Sequence, residues 1–169
     1  KILSNENKKI YSRTGDDISK SFPDILFNVN GNAVLDGELL VGNNFKALPF
    51  NSLQKRLNRK NPQKKIISEI PAFIKLYDII FEDGKDLRDL PLSKRRQLLS
   101  DWLKLNPSNR LDISEILEFK DWNELRQIKI ETTEKFNQEG LMIKSKNSLY
   151  LSGRPRGPWF KWKKNPLFL

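Results

Sequence analysis

The sequence of 169 residues contains no cysteine and no histidine. Without cysteine there are no disulfides and no thiolate metal sites. Without histidine the usual general base and the usual zinc ligand are gone, so any metal has to be held by carboxylates. Magnesium-type chemistry, or none, is what remains. No apolar run approaches the roughly 20 residues that cross a bilayer, and the chain does not open with a basic stretch leading into an apolar one, so neither a membrane span nor a leader is expected. The patterns G-x-x-x-x-G-K-[ST] and G-x-G-x-x-G are both missing, which excludes two familiar glycine-rich phosphate cradles. There is no internal repeat and no low-complexity linker. With 37% hydrophobic and 31% charged residues, the default is one globular domain, which at this length buries about 68–70% of its extended-chain surface.

The formal charge of +10 is unevenly spread. From Gly140 to Leu169 there are seven Lys or Arg residues and no Asp or Glu, whereas the first 139 residues carry 24 positive against 21 negative. The C-terminal part is therefore a positive field suited to phosphates or a nucleic-acid backbone.

The opening KILSNENKKIYSRTGDD, with a polar Asn-rich turn between short apolar patches, predicts a hairpin. DISKSFPDILFN predicts one short helix interrupted by Pro23. NAVLDGELLVGNNF reads as a strand followed by a GNN turn, and PFNSLQKRLNRKN as a short basic helix starting at or just after Pro49. AFIKLYDIIFEDGKDL is a second strong strand ending at a Glu-Asp-Gly turn. PLSKRRQLLSDWLKL is the clearest amphipathic helix, opened by Pro91, with Leu98, Leu99, Trp102 and Leu105 on one side. A short strand in RLDISEILEF, a weaker helix in DWNELRQIKIETTEKF, a strand in LMIKSKNSLY, a GRPRGP loop and a strand in WFKWKK complete the chain. Strands interleaved with irregularly spaced helices predict an α+β fold with mostly antiparallel sheets and flanking helices.

Two carboxylates sit where a strand pattern prefers something apolar: Glu38 in VLDGELLV and Glu139 just before GLMIK. A strand end fixes the direction of a metal ligand or a ribose hydroxyl acceptor, although Glu38 also fits a solvated face shared with Asp36. In a period-2 reading Met142 and Lys144 point away from Glu139, Leu141 and Ile143. In WFKWK the same period puts Trp159, Lys161 and Lys163 on one face, Phe160 and Trp162 on the other. Tyr77 is placed either to stack on a nucleobase or to fill the core. Asp78, in the same apolar stretch, needs charge-assisted partners if buried. SRTG presents Arg13 at a turn, either as a phosphate clamp or as ordinary loop polarity.

Taken in order, SRTGDD, VLDGEL, LYDIIFEDGKDLRDLPLSKRR, EGLMIK and WFKWK are far more specific together than singly. In these elements the chain resembles the ATP-dependent DNA ligases, members of the covalent nucleotidyltransferase superfamily that also holds RNA ligases and mRNA capping enzymes. The resemblance covers nearly the whole chain, and PLSKRR with the SGRPRGPWFKWKKNPL ending is more similar to bacterial or archaeal DNA ligases than to capping enzymes. It implies an ATP-grasp-like adenylation domain that uses ATP and Mg2+ or Mn2+. Arg13 would engage the phosphate of the nicked strand, with Arg154 and Arg156 as further nucleic-acid phosphate contacts. Glu38 would contact the nucleotide ribose and serve with Glu139 at the metal. Tyr77 would lie against adenine, Lys144 would end the metal-binding motif, and Lys161 and Lys163 would hold the nucleotide phosphates, leaving Phe160 and Trp162 to anchor their strand in the core. Such chemistry rests on positioned cations and needs no histidine.

The family's nucleophilic lysine belongs to a K-x-D-G motif, which this sequence lacks; Lys1 is followed by Ile, Leu and Ser. The motif is expected upstream of Lys1, and an OB-fold domain after Leu169. The resemblance therefore implies that residues 1–169 are a partial adenylation domain, incomplete at both ends and inactive alone. Lys144, Lys161 and Lys163 are not expected to substitute, because a phosphate partner keeps an amine protonated. The implied setting is that of a cytoplasmic, nucleoid-associated monomer acting on nicked duplex DNA in replication, repair and recombination, with no membrane partner. An RNA ligase and a non-catalytic nucleic-acid-binding remnant are the alternatives.

Overall fold

The structure, a computed structural model, describes residues 1–4, 7–57, 59–135, 140–153 and 157–163. Its centre is a pair of long antiparallel strands, β3 (Ala33–Asn43) and β5 (Ala72–Glu82). Both are rich in apolar residues, so each can be buried on the sheet's inner face. The opening forms the hairpin that the sequence predicts, β1 (Ile2–Ser4) with β2 (Lys9–Ile10), and its first strand adds to the edge of β3. Short returns β4 (Lys46–Ala47) and β6 (Lys85–Asp86) follow tight turns. The β3–β4 turn runs through Asn44 and Phe45, both at positive φ. One strand, β7 (Leu111–Ile113), joins β5 in parallel, and the rest of RLDISEILEF is not strand.

Pro23 does not interrupt a helix. It opens α1 (Pro23–Leu26), at the first helical position where its missing N–H costs nothing, after a 3-10 turn at Ser19–Ser21. The basic helix α2 (Phe50–Leu57) follows Pro49, and a further helix, α3 (Lys64–Glu69), was not expected. The helix α4 (Leu92–Leu105) lies on β5 and buries Leu92, Arg95, Leu99 and Trp102. Leu98 packs at the margin, while Leu105 is 81% exposed because the helix ends there and its last residue overhangs the core. The core joins Ile2, Ile10, Phe22, Ile25, Leu35, Val41, Leu76, Ile79, Leu99 and Trp102.

Among the described residues two arginines are fully buried, each against an aspartate. Arg56 of α2 meets Asp24 of α1 at 2.6 Å and also donates to the carbonyls of Ser21 and Ile70. Arg95 grips Asp78 of β5 through Nε and Nη2, at 2.7 and 3.0 Å. The uncomfortable carboxylate of the β5 sequence thus has the charge-assisted partner it requires.

The last third forms α5 (Trp122–Lys135) and a separate two-stranded sheet, β8 (Gly140–Lys144) with β9 (Trp159–Lys163). After Lys144 the predicted strand stops, and residues 145–150 instead loop over the start of α4. The amides of Leu92 and Ser93, orphan donors of a first helical turn, donate to the carbonyls of Ser148 and Lys146. Arg95 Nη1 also reaches Ser148 O, and Tyr150 N–H donates to Arg88 O. These bonds tie the hairpin to the main sheet's helix.

Candidate functional site

The β3–β5 register pairs Asp36 with Asp78 and then Gly37 with Leu76, so Tyr77 is an extra residue with no cross-strand partner. A bulge of this kind re-aims a side chain. The Tyr77 hydroxyl donates to Asp36 Oδ1 at 3.1 Å, and Tyr150 donates to the other oxygen at 2.6 Å. One carboxylate therefore fixes two phenols from distant parts of the chain. Burial, followed by the charge of Asp36 and the hydrogen bond to it, pushes both phenols well above their ordinary titration range.

The Lys144 ammonium lies over two rings at once, 4.1 Å from the centroid of Tyr77 and 4.2 Å from that of Trp159. Trp159 is held in turn by its Nε1–H on Ser148 Oγ, at 2.9 Å, and by an edge contact with Tyr150. The β8–β9 register pairs Lys144 with Trp159, Met142 with Lys161 and Gly140 with Lys163. Directly paired residues share a face, so Lys144, Lys161, Lys163 and Trp159 stand together, as the period-2 reading of WFKWK requires. The opposite face carries Trp162, with Lys129 of α5 over its ring at 5.0 Å. Phe160 is 57% exposed and anchors nothing in the core. A two-stranded sheet with one helix against it cannot bury both aromatics, and Trp159 on the lysine face supplies the anchorage instead.

Burial between two rings lowers the Lys144 pKa to about 8, against the pull of Asp78 and Asp36. The expectation that a phosphate partner keeps this amine protonated concerns the bound state, in which the phosphate would act against this burial. The sign for stability follows: folding disfavours the charged amine, so stability rises with pH from about 8 towards the 10.5 of an unfolded lysine. Titration of Lys144 followed by NMR is expected to give a midpoint near 8, shifting upwards when a nucleotide phosphate is added. A midpoint above about 10 in the free protein would rule out the ring sandwich.

Glu38 is exposed and pairs across the sheet with Lys75, which itself lies 3.5 Å from Asp112 of β7. It sits two residues from Asp36 on the same strand, and its charge reaches the Tyr77 phenol. Arg13 is exposed at the tip of a turn closed by Ser12 and Asp16, and takes no part in the contacts joining Tyr77, Lys144 and Trp159. Glu139, Arg154 and Arg156 lie outside the described residues. Among the described residues no three carboxylates gather as a metal cage, and both Asp36 oxygens are engaged by phenols. Neither Asp36 nor Tyr150, which join the Tyr77 phenol in one hydrogen-bonded group, is singled out as a site residue by the sequence. A carboxylate inside an apolar strand was the available signal for the first; nothing local marks the second.

The antiparallel sheet facing a cation-bearing hairpin is part of a fold that this chain has in common with solved DNA ligases. It is shared with mycobacterial DNA ligase D complexed with ATP and MES, at TM-score 0.69 and 22% identity, covering 96% of this chain and 50% of that one. A structure of a Lig E DNA ligase matches at TM-score 0.65 and 18% identity, covering 92% and 55%. The chain belongs to the ATP dependent DNA ligase domain family, whose model matches residues 2–163. It is 31% identical over 158 residues to the DNA ligase of Archaeoglobus fulgidus and 33% identical over 160 residues to that of Methanococcus aeolicus. These alignments cover 91% and 92% of this chain, which spans 28% of the length of each relative. No helix among the described residues is long and apolar enough to cross a membrane.

Proposed function

We propose that the chain is the nucleotide-binding part of an ATP-dependent DNA ligase, which moves AMP from ATP to the 5′-phosphate of a nick in duplex DNA before sealing it. The observation that carries this reading is the row of Lys144, Lys161 and Lys163 on one face of β8–β9, with Lys144 seated on the Tyr77 ring. Tyr77 offers a π-face to the adenine and Glu38 an acceptor to the ribose, while Lys161 and Lys163 take the phosphates, where fixed cations stabilise charge that grows during adenylyl transfer. Asp36 positions Tyr77 from behind. Arg13, Arg154 and Arg156 belong to the nucleic-acid backbone in this reading, and Glu139 with Glu38 to a Mg2+ or Mn2+ ion; since the described carboxylates build no cage, no step here is routed through a metal. The enzyme would work in the cytoplasm as a monomer, on DNA in preference to RNA.

The test is nucleotide binding by the 169-residue chain. Lys161→Ala/Lys163→Ala is expected to weaken ATP binding by at least tenfold per lost charged contact, about 1.5–3 kcal/mol each, with unchanged thermal unfolding. Retained affinity in that variant would defeat the assignment of the lysine face to phosphates. With no K-x-D-G lysine in the sequence, radiolabelled ATP is expected to leave no acid-labile adenylate on the chain.

A further inference from the structure

The excess positive charge has two sources. Between Glu38 and Glu69 the chain has seven Lys or Arg and no Asp or Glu, the same balance as from Gly140 to Leu169, while the remaining residues are net acidic. The functional site uses only the second source. Of the first, Arg56 is consumed internally; Lys46, Lys55, Arg59, Lys60, Lys64 and Lys65 are exposed.

What Arg56 does gives the others their place. Its guanidinium bonds Asp24 of α1, the carbonyl of Ser21 in the 3-10 turn and that of Ile70 just after α3, and lies over the Phe22 ring at 5.2 Å. Asp24 also accepts the amide of Ala72 at the start of β5. One buried arginine thus fastens α2, the end of α3 and the 3-10 turn to the sheet. The amide of Asn61 donates to the carbonyl of Lys20, which brings the exposed Lys20 beside the α2–α3 connection. Against this row the described residues offer one ion pair, Lys65 with Glu69 at 4.0 Å on an exposed surface, too long and too solvated to neutralise it. Like charges held together by a rigid frame repel, and a polyanion relieves that repulsion by displacing counterions.

We propose that Lys20, Lys55, Arg59, Lys60, Lys64 and Lys65 form a second phosphate-backbone site for duplex DNA, carried by different elements from the lysine face of β8–β9. The inference rests on the DNA-ligase reading and extends it: the duplex would be held away from the reacting nucleotide as well as at it. Residues 55–65 include no aromatic side chain, so this row of cations offers contacts to the phosphate backbone and none for stacking on bases. Binding there is independent of sequence and strongly salt-dependent.

The experiment measures the affinity of the 169-residue chain for nicked duplex DNA across a range of salt. Arg59→Ala/Lys60→Ala/Lys64→Ala is expected to lower the slope of log affinity against log salt by close to three, about 0.9 for each phosphate contact removed, and to leave ATP binding unchanged. A charge-matched control, Lys85→Ala/Lys94→Ala/Lys104→Ala, removes three exposed cations elsewhere and is expected to change the slope by less than about one. Acetylation footprinting supplies a second readout, with Lys60, Lys64 and Lys65 protected by duplex. An unchanged slope in the first variant, an equal loss in the control, tighter binding of single-stranded DNA, or no duplex binding by the parent chain would each overturn the second site. None of these results depends on ATP binding, whose failure would strike the nucleotide-site reading separately.

Discussion

Arg95→Ala is expected to destabilise the protein by about 3–5 kcal/mol, the range for removing one partner of a fully buried ion pair. The substitution leaves Asp78, which is 0% exposed, without its two guanidinium bonds. It also removes a donor from the carbonyls of Leu90 and Ser148. A buried carboxylate stripped in this way must either take up a proton or open the sheet to water. The loss of the Ser148 contact carries the damage to the site, because Ser148 also holds Trp159 against Lys144. Urea unfolding of Arg95→Ala measures the cost, and a value under about 1 kcal/mol would show that water reaches the pair. Replacing both partners, as Arg95→Met with Asp78→Leu, is expected to recover much of the loss, since an apolar pair of similar volume leaves no charge unpaired.

The second large effect is expected at Gly140. Its φ of +141° is a conformation that L side chains rarely adopt, and a Cβ there would lie 2.1 Å from the carbonyl oxygen of Trp162 and 2.8 Å from Lys163 Cα. Neither obstacle is a flexible side chain, so Gly140→Ala has to break the β8–β9 pairing at its first rung. Backbone strain of this kind costs about 1–3 kcal/mol before the clash is counted. The damage is expected to stay local: amide protection in β3 and β5 persists, while the Lys144 titration moves from about 8 back towards 10.5 as the ring sandwich loosens. Global unfolding with loss of β3–β5 protection would show that the hairpin is integral to the core.

Elements with a strong period were legible in the sequence. β3 and β5 announced themselves as long apolar runs between turn residues, and α4 by its apolar side, with an error only at Leu105, where periodicity continues past the surface it packs on. α3 was not legible, because KKIISE fully buries none of its residues and its two apolar ones, Ile66 and Ile67, are adjacent and too few to show a helical period. Pro23 was misread because the same ring that breaks a helix interior also starts one. At the site, a two-residue period was enough to put Trp159, Lys161 and Lys163 on one face, and the register confirms that face. It could not show that the Phe160 face would be left uncovered, since that depends on how much of the hairpin α5 covers. The bulge at Tyr77 was equally invisible, because register is a property of two strands and not of either sequence alone.

The bond from Tyr150 to Asp36 closes a span of 114 residues. Most of the sheet closes over much shorter spans, and the two strands at its centre need nothing beyond Glu82 to pair. Contacts so distant in sequence bear the largest loop-closure cost and form late. During synthesis, Asp36 leaves the ribosome long before its second phenol exists, and the first turn of α4 waits for the carbonyls of Lys146 and Ser148. The β3–β5 pairing needs none of the segment that carries Tyr150, whereas a chain ended before Tyr150 is expected to lack the bond that fixes Asp36 to its second phenol.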